Sequence, residues 1–198
     1  MKQIAIITAR GGSKRIPRKN IKEFCGKPIL AYSIEAALAS GVFDTVMVST
    51  DDEEIAEIAD SDPHNEEIAE VARRYGAQVP FFRSEKTSND FAITSEVLEE
   101  VLEEYERRGE HYERLCCIYP TAPFITAQRL KSAMDLLEET GADGVLPVVR
   151  FSFPPQRGVV VEDGYLKFKW PEHKHTRSQD LEPFYHDCGQ YYCLNTKA

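Results

Sequence analysis

Short apolar runs rich in β-branched residues alternate along the chain with longer segments whose apolar positions recur at helical spacing. Five runs predict strands, at residues 4–9, 45–49, 78–82, 115–119 and 144–149. Between the first two, Pro28 opens a predicted helix with Leu30, Ile34, Ala37 and Leu38 on one face and Ser40-Gly41 at its end. Thr94 is placed as the cap of another, with Val97, Leu98, Val101, Leu102 and Tyr105 in phase. The third residue after Thr94 is Val97, so no capping box is expected. A further helix is expected over 127–139, before Gly141. Strands alternating with helices predict an α/β fold, a doubly wound and mostly parallel sheet covered on both faces.

Beyond Val149 the pattern changes to Pro154-Pro155, a hairpin of 159–162 and 165–168 around Asp163-Gly164, and a last apolar segment at 191–194. The chain thus reads as one domain over residues 1–198, with 151–182 as an arm. Such arms serve oligomer contacts or cover a site, and a plain surface hairpin is the alternative from pattern alone. Residues 53–59 (EEIAEIA) nearly recur at 66–72 (EEIAEVA), with Pro63 and Asn65 between the copies to break a helix. A single pair of copies is a surface elaboration, since a solenoid needs at least three.

Composition adds exclusions. A chain of 198 residues, 42% hydrophobic and 29% charged, has enough apolar surface to fold into a compact soluble domain. No apolar run approaches the roughly 20 residues that span a bilayer. The opening apolar run is too short for a signal peptide and reads as the first strand of a cytoplasmic protein. The five cysteines are odd in number and are expected as reduced thiols. His173 and His175, or His186 with Cys188 and Cys193, match no four-ligand zinc spacing.

The net charge of −9 argues against nucleic acid as a partner, yet residues 1–28 carry eight basic side chains against one acid. A cationic segment in an acidic protein points to a local polyanion site. It lies in Ala9-Arg10-Gly11-Gly12-Ser13-Lys14-Arg15-Ile16-Pro17-Arg18-Lys19-Asn20, directly after the first strand, where open parallel sheets bind phosphates. Glycines let amide N–H groups converge on phosphate oxygens, while Arg10, Lys14 and Lys19 add mobile positive charge. A nucleoside triphosphate suits this chemistry. The P-loop pattern and the dinucleotide fingerprint are both absent.

That loop, with Phe24-Cys25-Gly26-Lys27-Pro28, Val48-Ser49-Thr50-Asp51, Arg83-Ser84-Glu85, Tyr119-Pro120-Thr121-Ala122-Pro123-Phe124 and Thr176-Arg177-Ser178-Gln179-Asp180-Leu181, resembles the cytidylyltransferases that activate acidic sugars. CMP-sialic acid and CMP-Kdo synthetases belong to that family. Together with Phe151-Ser152-Phe153-Pro154 and the 185–190 segment (YHDCGQ), these motifs are most similar to the branch acting on pseudaminic acid. The resemblance covers most of the chain. It implies a Rossmann-like nucleotidyltransferase with a β-hairpin dimerisation arm, CTP and an acidic nine-carbon sugar as substrates, Mg²⁺ as cofactor and a homodimer. The sugar's anomeric hydroxyl would attack the α-phosphate and release pyrophosphate. Sialate and legionaminate remain alternative acceptors, and a CTP-binding protein without turnover is the alternative of another class.

By the same resemblance, Arg10, Lys14 and Lys19 are the catalytic cations, and Gly11, Gly12, Ser13 and Asn20 complete the triphosphate loop. Arg83 and the Ser88-Asn89-Asp90 segment would read the cytosine and ribose; an ion pair of Arg83 with Glu85 is the plainer alternative. Tyr119, Thr121, Arg177, Gln179, Asp187 and Gln190 would meet the sugar, with Arg177 suited to its carboxylate and Asp187 equally explicable as structural. Many CMP-sialate enzymes carry Gln where Tyr119 stands. The family's paired C-terminal aspartates, which bind Mg²⁺, do not occur in these 198 residues, so the metal ligands are unassigned and Asp187 is a conceivable substitute.

Overall fold

The computed structural model describes residues 1–12, 16–51, 68–89 and 91–197. The first copy of the EEIAEIA repeat and its linker lie outside them. In chain order the strands are β1 (Gln3–Thr8), β2 (Glu23–Phe24), β3 (Lys27–Pro28), β4 (Thr45–Ser49), β5 (Arg114–Ile118), β6 (Gly144–Val145), β7 (Val148–Arg150), β8 (Val159–Glu162), β9 (Tyr165–Phe168), β10 (Tyr185–Asp187) and β11 (Tyr191–Asn195). The α-helices are α1 (Ile29–Ser40), α2 (Ile68–Arg74), α3 (Glu85–Ser88), α4 (Thr94–Arg107) and α5 (Ala127–Thr140). Contacts divide the chain into two compact units, Met1–Leu146 with Gly189–Ala198, and Pro147–Cys188.

In the first unit a five-stranded sheet runs β4-β1-β5-β11-β6. β1 lies parallel to both β4 and β5, with Ile4 opposite Thr45 on one side and Leu115 on the other. Alternation along β1 sends Ala5 and Ile7 to one face and Ile4 and Ile6 to the other. Both faces are buried because helices cover both, which is why the strand reads as unbroken apolar sequence. Leu30 and Ile34 of α1, Ile68 and Val71 of α2 and Leu130 and Leu137 of α5 pack on the first face. Leu98, Val101 and Tyr105 of α4 pack on the second.

Several expectations are corrected. Residues 78–82 do not form a strand: Gln78 alone bridges to Met47, because Pro80 has no N–H to continue a ladder. Pro147 likewise splits the predicted 144–149 strand into β6 and β7, which pairs with β10 in the second unit. The last apolar segment enters the main sheet as β11, antiparallel to both β5 and β6. Leu38, expected on the buried face of α1, is 44% exposed at the helix end. The cap of α4 is Ile93, whose N–H donates to Glu96 Oε2 at 3.0 Å, and Thr94 is the first helical residue.

The second unit contains the β8–β9 hairpin. Its Asp163 and Gly164 have φ of 52° and 80°, the paired left-handed geometry that a two-residue hairpin turn requires. The segment 151–182 lies within this unit. Nearby, Gly158 N–H closes a tight turn on the Pro155 carbonyl, and a Cβ on Gly158 would stand 2.9 Å from that oxygen. Gly158→Ala is therefore expected to destabilise this unit by about 1–3 kcal/mol. Trp170, the single tryptophan, reports it. Its fluorescence transition should move to lower urea, and an unchanged midpoint would contradict the packing described.

Candidate active site

From β1 the chain passes to β4 on one side, and β5 lies on the other. Connections that diverge in this way leave a crevice at the carboxyl end of the middle strand. A cavity of about 530 Å³ occupies that place in the first unit. Thr8, Arg10, Lys19 and Asn20 line it from the end of β1 and the following loop, Arg83, Thr87 and Asn89 from around α3, and Tyr119, Pro120 and Thr121 from the end of β5.

The loop is tied down at three points. Ala9 N–H donates to the Ser49 carbonyl at 2.9 Å and Gly11 N–H to Asp51 Oδ1 at 2.8 Å. Asn20, 3% exposed, donates through Nδ2 to the Arg10 carbonyl at 2.9 Å. Its Oδ1 is buried with no hydrogen-bond partner among the described residues. A Cβ on Gly12 would meet nothing within 4 Å among the described residues. Ser13 and Lys14 lie outside the described residues, as does Asp90.

Arg83 is held rather than mobile. Its Nε donates to Ser49 Oγ and its Nη2 to the Ser49 carbonyl, each at 2.8 Å, and its own N–H reaches the Thr50 carbonyl at 2.9 Å. The guanidinium thus turns to the end of β4 instead of pairing with Glu85. Burial pulls its pKa down to about 10, against the opposing charges of Asp51 and Glu100, so it stays cationic at neutral pH. Arg10 Nη1 donates to the Asn89 carbonyl at 3.2 Å. Three cations, Arg10, Lys19 and Arg83, face the cavity, and its described lining has no carboxylate. Such a concentration of positive charge in a half-enclosed space suits a polyphosphate.

Ser88 does not line the cavity: its Oγ turns back to the Ser84 carbonyl at 2.7 Å. Its neighbours Thr87 and Asn89 take that place. Tyr119 is fixed by its backbone, its N–H on the Gln190 carbonyl at 2.9 Å and its carbonyl accepting Ser33 Oγ at 3.0 Å. Its ring packs edge to face on Tyr192 with centroids 5.6 Å apart. Gln190 thus belongs to the first unit, whereas Arg177, Gln179 and Asp187 belong to the second. There Arg177 Nε donates to Asp180 Oδ2 at 2.7 Å, and Gln179 lines a separate hollow with Phe151, Ser152 and Phe184. Asp187 sits in β10 with His186 Nδ1 2.9 Å from its carbonyl oxygen.

Thr87 and Glu100 escaped the sequence reading, and Ser49 entered it only as a member of the Val48-Ser49-Thr50-Asp51 motif. Glu100 on α4 accepts Ser84 N–H at 2.7 Å, Ser84 Oγ at 2.9 Å and Thr87 Oγ1 at 2.5 Å. Burial raises its pKa, but the hydrogen bonds from Thr87 and Ser84 and the charge of Arg83 outweigh that and hold it below the ordinary carboxylate value. Its stabilising effect is complete above the unfolded pKa and is lost as pH falls through the lowered one.

The family model described as Cytidylyltransferase matches residues 4–62, a stretch that takes in most of β1, the cationic loop, α1 and β4. Over its whole length the chain is 40% identical to the pseudaminic acid cytidylyltransferase of Campylobacter jejuni, covering 80% of that protein. The chain belongs to the cytidylyltransferase family. This cytidylyltransferase is also 34% identical, over 78% of its length and 61% of the relative's, to the CMP-N,N'-diacetyllegionaminic acid synthase of Legionella pneumophila. Among solved structures, a CMP:2-keto-3-deoxy-manno-octonic acid synthetase complexed with CTP superposes with a TM-score of 0.64 over 98% of this chain and 74% of that one. At 20% identity that likeness shows the fold alone.

Magnesium takes oxygen ligands and usually one or two carboxylates. The cytidylyltransferase offers none in the described lining of its cavity. Among the described residues no group of three or more His, Cys, Asp or Glu is placed to hold a metal. The described residues do not by themselves form a magnesium site.

Proposed function

We propose that this cytidylyltransferase transfers CMP from CTP to the anomeric hydroxyl of pseudaminic acid. The oxygen of that hydroxyl forms the new bond to the α-phosphorus, the bond between the α-phosphorus and the bridging oxygen breaks, and pyrophosphate leaves while the hydroxyl proton passes to solvent. The observation that carries the proposal is the full-length 40% identity to a relative of that name. The cation-lined cavity at the end of β1 supports it independently, because charge spreading over phosphate oxygens is met by fixed positive groups.

In this proposal Arg10, Lys14 and Lys19 hold the triphosphate with the Gly11-Gly12-Ser13 backbone, and Asn20 keeps the loop in place. Arg83 borders the nucleoside, and Tyr119 and Thr121 stand where the acceptor enters. Arg177, Gln179, Asp187 and Gln190 are the remaining sugar contacts. Magnesium is proposed as an ion brought by the triphosphate oxygens. Among the described residues no helix is long and apolar enough to cross a membrane, and a cytoplasmic location is part of the proposal. So is a homodimer through the second unit, where Val161, Tyr165 and Leu166 are each more than 70% exposed, an apolar surface of the kind that marks protein contacts.

The likeness to the Legionella synthase favours legionaminic acid as the second acceptor to compare. Pyrophosphate release should be followed with CTP, UTP and ATP, each with pseudaminic, legionaminic and sialic acids and without sugar. Release with CTP and pseudaminic acid above every other pair is expected. Faster release with another acceptor reassigns the sugar, and CTP binding with no release under any condition contradicts turnover.

A further inference from the structure

The wall of the cavity formed by residues 83–89 and 91–93 is suspended between three anchors. Arg83 ties it to the end of β4, and Arg10 meets the carbonyl of Asn89. The third anchor is Glu100, whose carboxylate gathers Ser84 N–H, Ser84 Oγ and Thr87 Oγ1 from the far side of α3. Within the wall, Asn89 Oδ1 accepts Phe91 N–H at 2.8 Å and Ala92 N–H at 3.0 Å, and its Nδ2 donates to the Lys86 carbonyl at 2.6 Å. A shift of α3 therefore carries Thr87, Asn89 and the Asn89 carbonyl together. Thr87, 2% exposed, is both a ligand of Glu100 and part of the cavity lining.

A four-residue helix has little packing surface of its own, and in α3 only Thr87 is buried. One carboxylate accepting three hydrogen bonds fixes it, because charge-assisted bonds are about twice as strong as neutral ones and the three converge from two residues. Glu100 also supplies negative charge that favours the Arg83 cation, against the repulsion from Arg10.

We propose that Glu100 is a positioning residue for the nucleotide: through Ser84 and Thr87 it sets the α3 wall, and through Asn89 the direction of Arg10, without touching substrate itself. This rests on the reading of the cavity as the CTP site. It predicts a loss in CTP affinity rather than in the chemical step or in acceptor binding. Glu100→Gln keeps the volume but presents an amide donor to the Ser84 and Thr87 donors. Glu100→Asp keeps the charge and shortens the reach. Glu104→Gln is the matched control: it lies on the same helix, removes the same charge and, among the described residues, is paired with Arg107 and Arg108.

CTP dissociation constants by calorimetry, kcat, both KM values and thermal midpoints should be measured for the wild type and the three variants. In E100Q the CTP dissociation constant and KM are expected to rise about tenfold, the lower end of the effect of losing a residue that orients a ligand-contacting group. kcat and the acceptor KM should stay within about twofold, the aspartate should recover part of the loss, and E104Q should match the wild type. Wild-type CTP affinity in both E100Q and E100D overturns the inference alone, and so does an equal loss in kcat, both KM values and thermal midpoint. A wild-type chain that binds no CTP overturns the proposed function and this inference with it.

Discussion

Lys19→Met is expected to lower kcat/KM for CTP by about a hundred- to a thousandfold, the usual effect of removing one fixed group that meets developing negative charge. Lys19 lies at the start of the short 3-10 turn Lys19–Ile21 and lines the cavity beside Asn20. Methionine keeps most of the length and volume of the stem and removes only the ammonium. The ties that hold the loop run through Asn20, Gly11 and Ala9 and do not use that group. The thermal midpoint should therefore stay close to wild type, as for substitutions that leave packing and buried partners intact. Pyrophosphate release under steady state and a thermal melt on the same preparation check both halves. A loss below about tenfold, or an equally large fall in stability, would contradict the place given to Lys19.

Arg83→Leu should behave differently, losing both CTP use and stability. Its guanidinium makes two hydrogen bonds to Ser49 at the end of β4, and it is half-buried between Asp51 and Glu100. Taking it away leaves the Ser49 hydroxyl and carbonyl without their charged donor, an expected loss of about 1.5–3 kcal/mol from hydrogen bonds to a charged group. Nucleotide affinity should fall at least a hundredfold, since the α3 wall loses an anchor and the cavity one of its three described cations. Arg83→Lys should rescue little, because an ammonium cannot reproduce the two directed bonds of the planar fork. Urea midpoints and CTP calorimetry measure the two effects. A lysine variant with wild-type stability and affinity would show that the fork geometry is irrelevant.

The contrast between Lys19 and Arg83 marks what the sequence could carry. Both residues stand out locally, Lys19 within a cationic glycine-containing loop and Arg83 after a strand-like run. What distinguishes them is the non-local bonding of Arg83 to β4, which no spacing along the chain reveals. Glu100 is hidden for the same reason. It sits in a run of glutamates, EVLEEVLEE, where every acid has the look of a solvated helix face, and only the fold brings Ser84 and Thr87 to this one. Ser88 and Thr87 show the limit at the scale of one residue. Both are hydroxyls in one short turn, and the turn's phase sends Thr87 to the cavity and Ser88 to its own backbone.

The fold was legible where patterns are local and strong. The β1 run, α1 after Pro28 and the Asp163-Gly164 hairpin all stand where apolar period and turn chemistry place them. The 78–82 run misleads because its apolar character serves packing, with Val79 buried and Phe82 against the core, while Pro80 forbids the ladder. β11 is an ordinary apolar segment in sequence. Its antiparallel insertion between β5 and β6 depends on partners far away in the chain.

The most direct test of CMP transfer uses pseudaminic acid labelled with ¹⁸O at the anomeric hydroxyl, incubated with CTP, Mg²⁺ and the 198-residue chain. Products would be followed by ³¹P NMR and mass spectrometry. The mechanism predicts a CMP-sugar that retains the label in the oxygen between sugar and phosphorus, with unlabelled pyrophosphate in equal amount. Unchanged CTP, free CMP without a sugar conjugate, or label lost from the bridging position would contradict it.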